Sequence, residues 1–224
     1  MTLMRTKAIV LRRTNYGEAD RILQLITADF GKVSALARGV RREKSRLAGG
    51  VELFARSDVT MTTGKGDLAI LTSARLEKFY GSILSDYDRL QFGYEAIKQI
   101  SKATDQLDEP AFFHLLDQAF AELDGAVDLR VIKAWFWLQL AILLGVGINL
   151  SVDDKGKKLE LEQTYSFDQT TEAFALQANG RFTSDHIKLL RILSAQPPQT
   201  AAQVQGIDEL IDDCLWLAER AVAH

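Results

Sequence analysis

Apolar and polar positions alternate with a period of two through the first 80 residues. Runs with this alternation, rich in β-branched and other apolar residues, occupy positions 7–14, 21–27, 32–38, 51–63 and 68–79. In 32–38, for example, Val33, Ala35 and Ala37 fall on one face of an extended chain. Period two places successive side chains on opposite faces of a strand. The pattern therefore predicts five short strands in the first part of the chain.

Residues that favour turns separate these strands. Asn15-Tyr16-Gly17 and Asp29-Phe30-Gly31 contain residues that tolerate a positive φ, and Gly64-Lys65-Gly66-Asp67 has the composition of a hairpin tip. One longer connection spans 39–50. Five strands with this spacing predict a small closed barrel, with the oligonucleotide-binding (OB) fold as the first candidate and an SH3-like barrel as the alternative.

The apolar period changes to that of helices after Tyr80. A long amphipathic helix is predicted over 83–107, a second opens at Pro110, and a third, apolar on almost every side, follows a capping residue at Asp128. The buried stripe predicted for the first consists of Leu84, Tyr87, Leu90, Tyr94, Ile97 and Ile100.

The remainder of the chain is predicted to be helical apart from one insertion. Residues 152–180 contain two short strand candidates, Thr183 or Ser184 caps another helix, and the last helix carries Cys214 on its apolar face. The fold class expected is α+β. An OB barrel occupies 1–80, and a helical domain with a small β insertion at about 152–180 occupies 81–224.

Composition narrows the class of protein. The 224 residues include one cysteine, so no internal disulfide is expected, and a reducing cytoplasm is the natural compartment. No secretory signal is evident at the N-terminus. The longest apolar stretch, 134–148, is shorter than the roughly 18–20 residues that span a bilayer. No membrane association is expected.

The distribution of charge is more informative than its total. Residues 1–80 contain 15 Lys/Arg and 8 Asp/Glu, a balance of +7, whereas residues 81–224 contain 12 and 22, a balance of −10. A basic front half indicates that a polyanion binds there.

Catalytic motifs are not evident. The three histidines, His114, His186 and His224, are far apart in sequence, and no phosphate-binding loop sequence occurs. The acidic pairs Asp153-Asp154 and Asp212-Asp213 are interpreted as a turn and a solvated helix face. A divergent nuclease using such carboxylates is the least favoured hypothesis. We expect a protein that is not an enzyme and that needs neither a cofactor nor a metal.

The connection after the third strand is strongly basic. We call residues 38–46 the basic arm, and we expect it to be flexible and to contact phosphates, because arginine forks bind phosphate oxygens in pairs. The alternative is a solvated loop, or one that docks on the acidic rear half. Tyr16 is the best candidate for base stacking, while Phe30 and Phe54 are expected in the core. The predicted DNA-binding residues are Arg38, Arg41, Arg42, Lys44 and Arg46, followed by Arg12, Arg13 and Tyr16.

These residues also carry a resemblance to a known family, the recombination mediator RecO. The matching segments are Ala8-Ile9-Val10-Leu11, Tyr16-Gly17-Glu18-Ala19-Asp20, the basic arm with the preceding Ala37, Leu53-Phe54 and Leu71-Thr72-Ser73-Ala74. In the rear half, residues 143–150 resemble the segment that precedes a zinc module in many members. The four cysteines of that module are missing here, so a zinc site is not carried over.

The resemblance implies a function and a set of partners. It implies a DNA repair and recombination mediator that binds single-stranded DNA, with duplex DNA as a further ligand, and that anneals complementary strands. It also implies action with RecR on DNA coated by single-strand-binding protein, indirect cooperation with RecA, and a cytoplasmic, nucleoid-associated location. A pocket for the acidic tail of single-strand-binding protein would need local basic residues, and Arg130 and Lys133 are the candidates. The alternative function is a protein-docking adaptor without significant DNA binding.

Overall fold

The computed structural model describes residues 2–63, 66, 68–107 and 109–222. The chain forms two compact units, Met1–Gly125 and Ala126–His224. The barrel predicted for residues 1–80 lies within the first unit, together with two helices that follow it. The division into domains at residue 80 stays a prediction.

The first unit contains the predicted five-stranded barrel. Its strands are β1 (Leu3–Tyr16), β2 (Asp20–Thr27), β3 (Gly31–Ala37), β4 (Ala55–Thr62) and β5 (Leu68–Phe79). They close in the order β1-β2-β3-β5-β4, with antiparallel pairing everywhere except the parallel contact between β3 and β5. This is the OB fold, as predicted. The predicted hairpin tip at 64–67 lies, apart from Gly66, outside the described residues.

The barrel is packed on its inside and partly covered on its outside. Alternate residues such as Val10, Leu23 and Ala35 form the interior. Ile9 and Ile26, a cross-strand pair on the opposite face, are also fully buried. The two helices α1 (Tyr87–Ala103) and α2 (Ala111–Leu123) pack against β1 and β2. They therefore cover an apolar patch that a free barrel would expose.

An ion-paired network attaches α2 to the barrel. The Tyr80 hydroxyl donates to Asp117 Oδ1 at 2.6 Å, and Arg56 Nη1 lies 2.6 Å from Asp117 Oδ2. Burial, reinforced by the hydrogen bond to the carboxylate, raises the pKa of Tyr80 above its usual range. The phenol therefore stays protonated and donates at physiological pH.

Two predicted elements differ from the structure. Strand β4 begins at Ala55, four residues later than predicted, because Ala48–Gly50 form a 3₁₀ turn and Phe54 has a φ of +55°. The first helix spans Tyr87–Ala103 rather than 83–107, because Gly81–Ser85 form a 3₁₀ turn and Asp86 caps the helix. Leu84, Tyr87 and Tyr94 are exposed, although all three were predicted in the buried stripe. The buried face is formed instead by Phe92, Gly93, Ala96, Ile97 and Ile100.

The second unit is built mainly of helices. Asp128 caps α3 (Leu129–Leu143) by accepting a hydrogen bond from the backbone amide of Arg130, as predicted. Gly145, with a φ of +76°, ends this helix in the left-handed conformation that glycine tolerates. Strands β6 (Tyr165–Asp168) and β7 (Ala173–Leu176) confirm the predicted insertion.

The helices that follow complete this unit. They are α4 (Ser184–Ala195), the short α5 (Pro198–Ala201) and α6 (Ile207–Arg220). Thr183 caps α4, as predicted, in a capping box with His186. No helix in the described part of the chain has the length and apolar character needed to cross a bilayer.

Candidate nucleic-acid interface

The basic arm packs against the barrel and is not a free loop. Val40, within the arm, and Val51, just beyond it, are buried in the barrel core. Leu47 and Leu53 pack against the same core. Gly50 lies so close to β5 that an added Cβ would be 2.5 Å from the backbone of Ala74. The chain from 38 to 54 is therefore anchored repeatedly by apolar contacts.

Hydrogen bonds tie the arm to the turn between β1 and β2. Asp20 Oδ1 accepts from the backbone amide of Gly39 at 2.7 Å, and Ala19 O accepts from the amide of Arg41 at 2.9 Å. Gly39 has a φ of +63°, which places its amide toward the carboxylate at little steric cost. The arm is therefore a series of turns docked on a hairpin, while its predicted flexibility stays a prediction.

The cationic side chains of the arm point outward. All five, Arg38, Arg41, Arg42, Lys44 and Arg46, are exposed. Among the described residues none of them forms an ion pair, and the Arg41 guanidinium only approaches the carbonyl of Gly17, at 3.5 Å. Glu43 is the one acid in the arm, and cations that form no ion pair keep their attraction for an external anion. The arm is therefore a preorganised cationic surface.

The two arginines predicted on β1 differ in environment. Arg12 is exposed and lies opposite Gln24, whereas Arg13 Nη1 lies 2.7 Å from Glu52 Oε2. An arginine already paired with a carboxylate must lose that contact before it binds a phosphate. Arg12 is accordingly the better phosphate contact of the two.

The predicted aromatic residues also differ. Tyr16, at the end of β1 beside the arm, is 56% exposed and is free to stack. Phe54 is 1% exposed, which confirms its prediction as a core residue. Phe30 is 40% exposed, so its prediction as a core residue is wrong. It lies at the β2–β3 turn, where its amide donates to Thr27 Oγ1 while the ring projects outward.

The outer face of β2 and β3 adjoins the arm. Ile22 lies opposite Leu36 on this face, and Gln24 lies opposite Ser34. OB folds bind oligonucleotides on the corresponding surface. Neither strand contains an aromatic residue. Base stacking would therefore need rings supplied by other elements.

Other candidate chemical groups have structural roles. Asp153 accepts hydrogen bonds from the amides of Lys155 and Lys157, which confirms a turn. Cys214 is buried in α6, and burial, reinforced by nearby Asp213, raises the pKa of its thiol to about 12. Within the described ranges no group of three or more His, Cys, Asp or Glu residues is arranged to hold a metal.

The structure also shows the surroundings of two histidines and of Arg130. His114 is exposed, and His224 lies outside the described residues. His186 is buried, and burial lowers its pKa although Asp213 Oδ2 lies 3.4 Å from its Nε2. Arg130 approaches three carboxylates, those of Asp128, Asp208 and Asp212.

The barrel with its basic arm defines the class of protein as an OB-fold protein with a cationic surface suited to nucleic acid. Residues 1–80 match the family model described as the N-terminal domain of recombination protein O. Through this domain the chain resembles the RecO family.

Several proteins named DNA repair protein RecO align with this chain over similar lengths. The DNA repair protein RecO of Rubrobacter xylanophilus is 35% identical over 151 residues, 67% of this chain and 60% of the relative. That of Dehalococcoides mccartyi strain 195 is 32% identical over 141 residues, 63% and 56% of the two chains. The protein of Listeria monocytogenes strain EGD-e is 28% identical over 141 residues, 62% and 55%. The chain thus matches little more than half the length of these relatives.

Proposed function

We propose that this protein is a DNA-repair and recombination mediator that binds single-stranded DNA and anneals complementary strands. The observation that carries the proposal is the basic arm, which holds five exposed cations on turns docked to the barrel, without ion pairs among the described residues. Arg12 and Tyr16 extend this surface, and Arg13 joins it when its contact with Glu52 opens. Binding of this kind contacts mainly phosphates, so it tolerates many base sequences and weakens with salt.

The partners proposed for this function are those that the family resemblance implies. In this proposal the protein acts in the cytoplasm with RecR on DNA coated by single-strand-binding protein, so that RecA loads; it makes and breaks no bond. The acidic tail of single-strand-binding protein needs a cation beside an apolar pocket. Arg130 is a poor choice because three carboxylates surround it. A pocket lined by Val146, Phe167 and Arg220 places a cation beside apolar side chains, with the single carboxylate of Glu172 also in its lining.

The first test is charge reversal in the arm. We expect Arg41→Glu, Arg42→Glu and Lys44→Glu together to lower affinity for a labelled single strand at least 100-fold at about 0.1 M salt, because several phosphate contacts are lost and repulsion is added. Annealing of a complementary strand should slow in parallel. The measurements are fluorescence anisotropy across a salt series and annealing followed by energy transfer.

The matched control has the same change of charge in the second unit. Lys155, Lys157 and Lys158 are exposed, and their reversal to glutamate should leave binding within about threefold of the original protein. The proposal fails if the arm variant, shown by circular dichroism to be folded, binds as tightly as the control. Equal weakening in both variants would indicate an effect of net charge alone.

The alternative function is a protein-docking adaptor of the repair machinery. Two observations favour it, namely the pairing of Arg13 with Glu52 and the lack of aromatic residues in β2 and β3. Tight binding to RecR or to single-strand-binding protein, with no affinity for bare DNA even at low salt, would support the adaptor.

A further inference from the structure

Helix α1 presents two exposed tyrosines on one face. Tyr87 is 73% exposed and Tyr94 is 46% exposed. Residues seven apart in a helix are related by two turns, so both rings lie on the same side, roughly 10 Å apart along the axis. Lys98, one turn beyond Tyr94, is also exposed. We call Tyr87, Tyr94 and Lys98 the tyrosine face.

Contacts hold Tyr94 in place beside the barrel. Its ring packs edge-on against Phe54, with the ring centroids 5.1 Å apart. Phe54 reaches this position because residue 93 is a glycine; a Cβ there would lie 2.7 Å from Phe54 Cε1. The left-handed backbone of Phe54, with a φ of +55°, is the conformation that turns its side chain toward α1. Tyr94 is therefore a supported ring that stays partly open to solvent.

The contact between Tyr94 and Phe54 links the tyrosine face to the barrel near Arg13. Phe54 lies two residues after Glu52, which is paired with Arg13 at the end of β1 nearest the arm. The same chain segment leads back through Val51 and Gly50 to Arg46. Tyr94 is thus separated from Arg13, a proposed phosphate contact, only by Phe54 and the short segment that leads back to Glu52.

We infer that the tyrosine face is a stacking platform for the bases of a single nucleic-acid strand whose phosphates the arm holds. The inference rests on the proposed function and adds a second contact region to it. Single-strand binding combines a cationic track with aromatic rings, and β2 and β3 contribute no ring. Asp88 and Glu95 flank the tyrosines and repel phosphates, so the strand meets α1 through its bases.

The test separates bases from phosphates. We compare a thymidine oligonucleotide with one of equal length whose internal nucleotides lack bases. Tyr87→Ala with Tyr94→Ala should weaken binding of the thymidine strand about tenfold and change binding of the abasic strand less than twofold, since only bases stack. The dependence of affinity on salt should keep its slope, because the number of phosphates contacted is unchanged.

Two controls address folding and general effects of exposed rings. Tyr94→Phe keeps the ring and its contact with Phe54, so it should bind the thymidine strand as the original protein does. Phe30→Ala removes an exposed ring at the opposite end of the barrel and should have no effect on either strand. Cross-linking to an oligonucleotide containing 5-iodouracil should label Tyr87 or Tyr94, a result that a purely structural role would not produce.

The outcomes distinguish this inference from the proposed function. If the original protein binds neither oligonucleotide, the proposed function itself fails. If it binds both but the double variant retains full affinity for the thymidine strand, the platform is disproved and the arm remains. Normal DNA binding with lost binding to RecR or single-strand-binding protein would assign the tyrosine face to a protein partner and would also overturn the inference.

Discussion

Arg12 and Arg13 are neighbours in sequence, yet one side chain is exposed and the other is paired with Glu52. The same contrast separates Phe30 from Phe54, both of which were expected in the core. Sequence identifies which side chains carry charge or apolar area. It does not identify their partners, because Glu52 is 39 residues from Arg13 and meets it only in the folded chain.

Cys214 gives a residue-scale prediction about reactivity. Its thiol is buried and its pKa is raised to about 12, so it stays protonated below that pH, and the thiolate that attacks disulfides is scarce. We expect a disulfide reagent at pH 8 to label less than a tenth of the native protein in an hour. One equivalent should react at once in denaturant, as measured by absorbance of the released thiol. Fast labelling of the native protein would contradict the buried placement.

At the scale of elements, strands and helices were predictable because each repeats one period over several residues. The basic arm has no such period, and its order depends on particular contacts such as that between Asp20 and the amide of Gly39. The buried face of α1 was also predicted wrongly, because it too depends on a particular contact. Its tyrosines fit an apolar stripe, but the helix approaches Phe54 most closely at Gly93, and Phe92, Ala96 and Ile100 are buried while the tyrosines stay exposed.

Asp20 gives the prediction at this scale. Asp20→Ala removes the carboxylate that accepts from Gly39, and we expect the arm to become mobile while the barrel persists, at a cost of about 1–2 kcal/mol in the free energy of unfolding. Trypsin should then cleave after arginines or lysines of 38–46 at least ten times faster. Glu18→Ala, two residues earlier in the same turn and exposed, is the control. Equal cleavage rates in the two variants would show that Asp20 does not order the arm.

At the scale of the whole molecule, the net charge of the first unit changes sign at residue 80, whereas its packing continues across that residue. Residues 81–125 contain 3 Lys/Arg and 9 Asp/Glu, a balance of −6, against +7 for residues 1–80. Yet α1 and α2 pack on the barrel and bury Ile9 and Ile26. The change in sequence period at residue 80 therefore marks a change of element type within one compact unit that extends to Gly125.

Fragments of the chain test this point. We expect residues 1–125 to unfold cooperatively with temperature, because the barrel keeps the helices that cover its apolar outer patch. A fragment of residues 1–80 would expose Ile9, Ile26 and Phe54 to water and should aggregate or lack a cooperative transition in calorimetry. The expectation is refuted if the shorter fragment remains monomeric and unfolds at the same temperature.

The burial of Val40 in the barrel core has a consequence for how this protein changes over evolutionary time. A loop that only bound a ligand could gain or lose residues freely. Here an insertion between Arg38 and Val40 would displace an apolar side chain from the interior, so the spacing of the first cations depends on the packing that stabilises the barrel. Substitution, rather than change of length, is the route by which such a surface acquires new ligands.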